Sequence, residues 1–428
     1  MIKNFIINDN YKFLIYLIPF SFIIGQSAVS INLILISITV LLIIKFDYIN
    51  FKKVFDYNSQ LLLIFFLLTL TIQIFQFGVN GLKFLFFLKF IALVLILKYQ
   101  FLKRDYNLFL DKYFKNIIYI FLFVFVDLIY QKIFGVDIFG FKSTEPTALN
   151  RLTGPFGNNE YIPGSFIFHI CGPAIIYFLH YYKKKQPYNL LFILTLINLF
   201  LIGIFITGER ISFLLSLLSI FILFVIEKEL RKKLLLSLAI TFLIIFFISK
   251  KDNYFIERYD LFKKTLLSGT QTESSLKSNF FDSQWGAHYL TSIEIFKKNL
   301  LFGSGVRSFR VECQKKEYDM IISKSKDIRC STHPHNFYLE ILSETGIVSF
   351  ALFLALLTFG IYNSAKLLYL GNKSFFLISF FIVFLSILWP LRSTGSIFSN
   401  FGGSMMWLNF AFLFAINLKL NKFYKINN

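Results

Sequence analysis

Apolar runs of roughly 17–22 residues return along almost the whole chain, separated by short polar breaks. A helix rises about 1.5 Å per residue, so each run is long enough to cross a hydrocarbon layer about 30 Å thick. The runs lie near 13–28, 30–46, 60–77, 82–98, 115–134, 162–181, 189–207, 211–227, 234–249, 345–365, 374–390 and 400–418. The expected architecture is therefore an all-α membrane protein with about twelve transmembrane helices. Composition agrees: with 56% hydrophobic and 20% aromatic residues and a mean hydropathy of +0.65, a water-soluble domain has nowhere to hide its apolar surface. The first run, Lys12 to Ser30, has no small-residue cleavage site and passes directly into the next, so it reads as a span rather than a removable signal.

The net charge of +20 would suit a nucleic-acid binder if it lay in one basic face. It does not. It is parcelled into clusters between the apolar runs, at Lys52–Lys53, Lys103–Arg104, Lys183–Lys185 and Arg231–Lys233. These clusters fall on every second connection, which is the distribution that orients cytoplasmic loops. Both termini lie on that lysine-rich side, and no nucleic-acid partner is expected. Two connections on the other side are long, roughly 135–161 and 250–344. The second is polar from Lys263 to Ser278 and turns helical in period around Trp285–Lys298. The chain divides accordingly into helices 1–5 (1–134), helices 6–9 with the first outer loop (135–249), a large outer loop (250–344) and helices 10–12 with a tail (345–428).

Arginine follows a different rule from lysine. Of nine arginines, only Arg104 and Arg231 fall on the lysine side. Arg151, Arg210, Arg258, Arg307, Arg310, Arg329 and Arg392 fall opposite, against the orientation bias. A guanidinium grips phosphate or carboxylate oxygens in two places, which an ammonium cannot do. Arg210, set in a turn of a few residues between two spans, needs a partner at the membrane edge, either Glu209 or a ligand anion. Arg258 and Arg329 read as ordinary loop ion pairs.

The segment His333-Pro334-His335-Asn336, followed by Glu340, Glu344 and Gly346, resembles the signature of the O-antigen ligase and polymerase superfamily of bacterial inner-membrane proteins. There a His-Asn pair precedes a Gly at the junction of the large loop and the next span. Ser349 departs from the residue usual after that Gly. Arg151-Leu152-Thr153-Gly154-Pro155-Phe156-Gly157-Asn158, Thr207-Gly208-Glu209-Arg210, Asn299 to Gly305 and Pro390 to Ser396 are similar to further motifs of that superfamily. The resemblance runs over roughly 150–410.

This resemblance implies a GT-C-like, metal-independent, inverting glycosyltransferase without cofactor. It would transfer a glycan from undecaprenyl diphosphate to an acceptor hydroxyl, that of lipid A-core in a ligase or of another lipid-linked repeat in a polymerase. The partners would be the lipid-linked glycan, a glycolipid or glycan acceptor, and the bilayer. Charge growing on the leaving diphosphate calls for fixed cations. Arg210 is the first candidate, either Arg307 or Arg310 the second, with Arg151 and Arg392 behind them. His335, near neutral pKa when unperturbed, is the candidate base for the acceptor hydroxyl. Asn336 reads as an N-cap of the following helix, with Gly346 on that helix. Glu340 and Glu344 support the site or face solvent, and His333 reads as surface. Gly303 and Gly305 form a phosphate nest or a plain turn. His288, Tyr289 and Trp285 pack the loop or stack on sugar. Cys313 and Cys330 are expected to form a disulfide in an oxidising compartment, worth about 3 kcal/mol by loop closure. The rival class is a lipid-linked glycan transporter, which would place its charges at mid-membrane on broken helices.

Overall fold

The computed structural model describes residues 9–142, 151–158, 162–182, 189–251, 283–319, 326–372 and 374–427. Among them every regular element is helical. The first five spans are α1 (Lys12–Ile24), α2 (Gln26–Phe46), α3 (Tyr57–Phe77), α4 (Lys89–Leu102) and α5 (Tyr106–Phe134). Then come α6 (Pro163–Tyr181), α7 (Asn189–Ile206), α8 (Arg210–Ile226) and α9 (Arg231–Lys251). The loop helix α10 (Gln284–Lys298) precedes α11 (Phe337–Tyr369), α12 (Phe375–Ile387) and α13 (Gly402–Asn427).

Each apolar run of the sequence overlaps one of these helices, and α10 falls where the loop turned helical in period. Among the described residues, seven helical stretches are long and apolar enough to cross a membrane, with Tyr57–Leu102 as one of them. The chain is thus a multi-pass membrane protein. Four apolar helices are shorter, among them Lys12–Ile24 and Phe375–Ile387. A 13-residue helix reaches about 20 Å, less than the hydrocarbon thickness. Hydropathy missed these ends because apolar composition continues past the point where the backbone turns, as at Gly25 with φ 128°.

The fourth run departs most from a plain span. Gly78–Leu88 is a 3₁₀ helix that folds back on α3. A Cβ at Gly81 would lie 2.2 Å from the carbonyl oxygen of Gln73. Only Lys89–Leu102 continues as α-helix, and Phe90 to Phe101 are all buried. α4, α6 and α13 form the interior, whereas α9 presents most of its surface outward. Trp407 on α13 is fully buried between Phe66, Phe90 and Phe353. The Lys183–Lys185 cluster, Arg258 and the 263–278 stretch lie outside the described residues.

Candidate active site

The site starts where the loop meets α11. Asn336 is the N-cap of that helix. Its Oδ1 accepts from the amides of Tyr338 (3.0 Å) and Leu339 (3.2 Å), and its Nδ2 donates to the carbonyl of Pro390 at 2.8 Å. One side chain therefore ends the loop, starts the helix and ties both to the connection between α12 and α13.

That connection braces the histidines as well. The Thr394 amide donates to the His335 carbonyl (2.8 Å), and the Thr394 carbonyl lies 2.9 Å from His333 Nε2. His333 is thus a brace between two loops rather than a surface residue. The His335 imidazole sits 3.0 Å from Ser331 Oγ, edge-on to Trp285 (4.9 Å) and stacked on buried His288 (5.3 Å). α10 supplies that packing, so Trp285 and His288 hold the His335 ring. Burial, then His333 and His288, push the His335 pKa down to about 2. Burial likewise lowers His288 to about 4. Among the described residues no group of three or more His, Cys, Asp or Glu is placed to hold a metal ion.

Gly346 interrupts α11 with φ 74°, ψ 177°, so it leaves the helical face that the sequence suggested for it. A Cβ there would lie 2.2 Å from the Leu301 carbonyl oxygen. Backbone meets backbone along this seam. The Ser304 amide donates to the Ser343 carbonyl (3.0 Å), Gly305 to Glu344 (2.9 Å) and Ile347 to Leu300 (2.9 Å).

The turn after Gly303 is not an open nest. Its next amides are taken: Val306 by Gln73 Oε1 (2.9 Å), Arg307 by Glu344 Oε2 (2.6 Å) and Phe309 by Glu344 Oε1 (3.2 Å). The anion in that concavity is the chain's own carboxylate. Glu340 is used the same way, accepting from the Ser396 hydroxyl and from the Ile397 amide at 3.0 Å. Both glutamates are buried, so neither forms a solvated face. Their spacing of one turn points both into the protein, against two different loops. Neither makes a hydrogen bond to His335 among the described residues.

Three non-glycine residues hold positive φ among those described: Asp9, Arg307 (63°) and His335 (58°). Such backbone costs of order 1–3 kcal/mol and gathers at functional sites. Here it is held by the Glu344 contact to Arg307 N and the Thr394 contact to His335 O. Arg307 is exposed, its guanidinium 5.5 Å from the centre of the Phe87 ring. Arg310 is exposed on the same turn. Arg392 is buried, 4% accessible, against Met406 Sδ (3.5 Å) and the Phe337 ring, and its Nε has no hydrogen-bond partner among the described residues. Burial lowers its pKa to about 10, so it remains a cation.

Lys89 belongs with these groups and was missed from the sequence. It is 3% accessible, donates to Asn400 Oδ1 at 2.8 Å and lies over the Phe86 ring. A lysine inside an apolar run with no acidic residue beside it was the signal.

Arg210 begins α8 and Arg151 lies in the first outer loop. No hydrogen bond among the described residues links either to His335. Glu209 spends its oxygens on the Gly164 amide (2.8 Å) and on Ser165 and Ser212. From Ser165 the chain of contacts continues to His169 Nδ1 (2.9 Å). Asp127, buried in α5, accepts from the Ile138 amide at 2.9 Å through Oδ1, while its Oδ2 has no hydrogen-bond partner among the described residues. Cys313 and Cys330 form a disulfide with Cα atoms 5.4 Å apart. Buried Arg329 stiffens the same loop by pairing with Asp319 (2.6 Å) and donating to the Cys313 carbonyl.

The fold and this end of the molecule define a multi-pass helical membrane protein with a loop tier that sets a histidine and several cations over the helix ends. Residues 190–354 match the family model described as O-antigen ligase. The match takes in Arg210, Arg307, Arg310, His335, Asn336, Glu340, Glu344 and Gly346. It is narrower than the 150–410 resemblance, leaving out Arg151 and Arg392, and Lys89 lies outside both. No curated protein matches the chain.

Proposed function

We propose that this chain is an O-antigen ligase-type glycosyltransferase. It moves a glycan from undecaprenyl diphosphate to an acceptor hydroxyl of lipid A-core, at the periplasmic face of a bacterial inner membrane, with both termini cytoplasmic. The observation that carries the reading is the pair of strained residues. Arg307 and His335 are each held at positive φ by a buried contact, within a segment that matches the ligase family.

The acceptor oxygen bonds to the anomeric carbon from the face opposite the diphosphate. The bond from that carbon to the diphosphate oxygen breaks, its electron pair leaves with undecaprenyl diphosphate, and the configuration inverts. The hydroxyl proton passes to the His335 imidazole. Arg210 and Arg307 take up the charge that grows on the diphosphate, with Arg310, Arg151, Arg392 and Lys89 around them. No metal or cofactor has a part in these steps. Asn336, Glu340, Glu344 and Gly346 position the base and the clamp. Without ligand, His335 is a weak base because burial and two neighbouring imidazoles disfavour its charged form. A bound diphosphate opposes that effect and raises its basicity when the donor is in place.

The test is complementation. The chain is expressed in a strain lacking its ligase and, separately, in one lacking its polymerase. Ladder-modified lipopolysaccharide in the first strain is the expected result. Rescue of the second strain alone would move the acceptor to another lipid-linked repeat. Full ladders from both His335→Ala and Arg307→Ala at equal membrane levels would defeat the site.

A further inference from the structure

At the end of the bundle opposite His335, a cavity of about 400 Å³ opens between α4, α13 and the short segment after α2. Its charged lining is entirely basic: Lys53, Lys103, Arg104, Lys419 and Lys422. These side chains come from separate parts of the chain, so the cluster is made by the fold.

Their hydrogen bonds go to carbonyl oxygens rather than to carboxylates. Lys422 Nζ donates to the Lys53 carbonyl (2.8 Å), Lys419 Nζ to the Lys103 carbonyl (3.3 Å) and Lys53 Nζ to Asn50 Oδ1 (2.8 Å). Among the described residues only Lys103 of these reaches a carboxylate, that of Asp9 at 3.4 Å. The acids packed nearby are engaged elsewhere, Asp47 by the Tyr99 hydroxyl and Asn50, Asp56 by Lys98, Asp105 by Lys12. Tyr99, Leu102 and Phe423 supply an apolar wall, and Phe423 is 63% exposed.

We propose that this cavity binds the phosphate headgroup of an anionic phospholipid from the leaflet at that end. Several cations without carboxylate partners attract a phosphodiester, and the volume lies in the range of small-ligand sites. A soluble phosphate shares that chemistry. The apolar wall at the helix ends favours a lipid, whose acyl chains continue along exposed Phe423. The site is independent of the transfer reaction.

The test uses the full-length protein in nanodiscs of phosphatidylcholine with or without phosphatidylglycerol. Lipid adducts are read by native mass spectrometry and stability by thermal unfolding. The wild type is expected to retain phosphatidylglycerol over phosphatidylcholine and to melt higher with it. Each basic side chain near a charged lipid contributes about fivefold, so K419Q/K422Q should lose about thirtyfold of the preference. K419R/K422R, which keeps the charge, should retain it, and this separates loss of binding from loss of fold. Equal retention of both lipids by the wild type would overturn the proposal. So would an equal loss in K45Q/K52Q, whose residues lie outside the cavity, or the same stabilisation from inorganic phosphate without phosphatidylglycerol.

Discussion

The two ends of the bundle treat their charges differently. At the foot of α1, α4 and α5, acids and lysines meet directly: Lys12 with Asp105 (2.6 Å) and Asp9 (3.1 Å), buried Lys98 with Asp56, and Lys115 with Asp111 (2.8 Å). Around His335 the cations beside the site are kept apart from the acids, although Arg329 in the disulfide-bonded loop pairs with Asp319. Glu340, Glu344, Glu209 and Asp127 accept from amides and hydroxyls, while Lys89, Arg307, Arg310 and Arg392 make no ion pair among the described residues. A cation whose nearby carboxylates are already satisfied keeps its field for a ligand. The foot is built to hold together, and the upper tier is built to leave positive charge available. The basic cavity at the foot departs from that end's habit, since most of its cations have no carboxylate partner among the described residues.

The comparison is broken most directly by removing cations that the fold does not need. Arg392→Met deletes a buried charge that has no counter-ion among the described residues, and burying such a charge is itself unfavourable. Arg307→Gly removes a side chain from a backbone position that glycine occupies without strain. Both variants should be as thermally stable as the wild type or more so, yet lose glycan transfer by about 10²–10³-fold. Initial rates with a purified lipid-linked donor, set beside melting curves, check this. A drop in stability with transfer intact would make these arginines structural.

Gly346→Ala tests the seam that carries the tier. Its φ of 74° and the 2.2 Å approach to the Leu301 carbonyl leave no room for a methyl group, and the clashing atom is backbone, which cannot swing away. A loss of roughly 2–4 kcal/mol is expected, read as a lower unfolding midpoint in detergent. The disulfide-bonded loop should become more open to protease at the same time. An unchanged midpoint would mean that the two strands part without consequence.

How much of this was legible in the residues depends on the range of the interaction. The helices were, because hydropathy and lysine placement are read locally. The N-cap role of Asn336 was too, since capping spans three residues. What the glutamates do was not. Glu340 answers to Ser396 and Ile397, and Glu344 to Arg307 and Phe309. Those partners lie more than thirty residues away, and helical spacing alone favoured a wet face. The phosphate nest at Gly303–Gly305 failed for the same reason, its anion being Glu344. Lys89 escaped notice because the 3₁₀ fold-back that brings Phe86 and Phe87 beside it has no sequence period of its own.

Acidity separates the two ends more gently. His335 and His288 are held neutral, at about 2 and about 4, chiefly by burial. In the unfolded chain each would titrate near 6.5. A histidine lowered on folding contributes its full stability above the unfolded value. That contribution is lost as pH falls below about 6.5, because the unfolded chain then binds protons the folded one refuses. About 1 kcal/mol per histidine should be gone by roughly pH 5.5. Melting curves between pH 7.5 and 5 would show it. His288→Phe should flatten the dependence. A diphosphate ligand should also flatten it, since its charge lets His335 accept a proton without unfolding the site.

The smallest effect belongs to the foot, and it calibrates the others. Lys12 is partly exposed and Asp105 is 43% exposed, so water screens their attraction and offers each a substitute partner. Lys12→Met should lower stability by less than about 1 kcal/mol, and less again at high salt. Glycan transfer should not change at all. A large loss of transfer from Lys12→Met would mean that the ion-paired foot is coupled to the reaction, and the division of labour between the two ends would have to be given up. A small, salt-sensitive shift in the melting curve with full transfer keeps the difference where the hydrogen bonds put it. One set of cations is spent on carboxylates, and the other is held open by backbone amides that occupy the carboxylates instead.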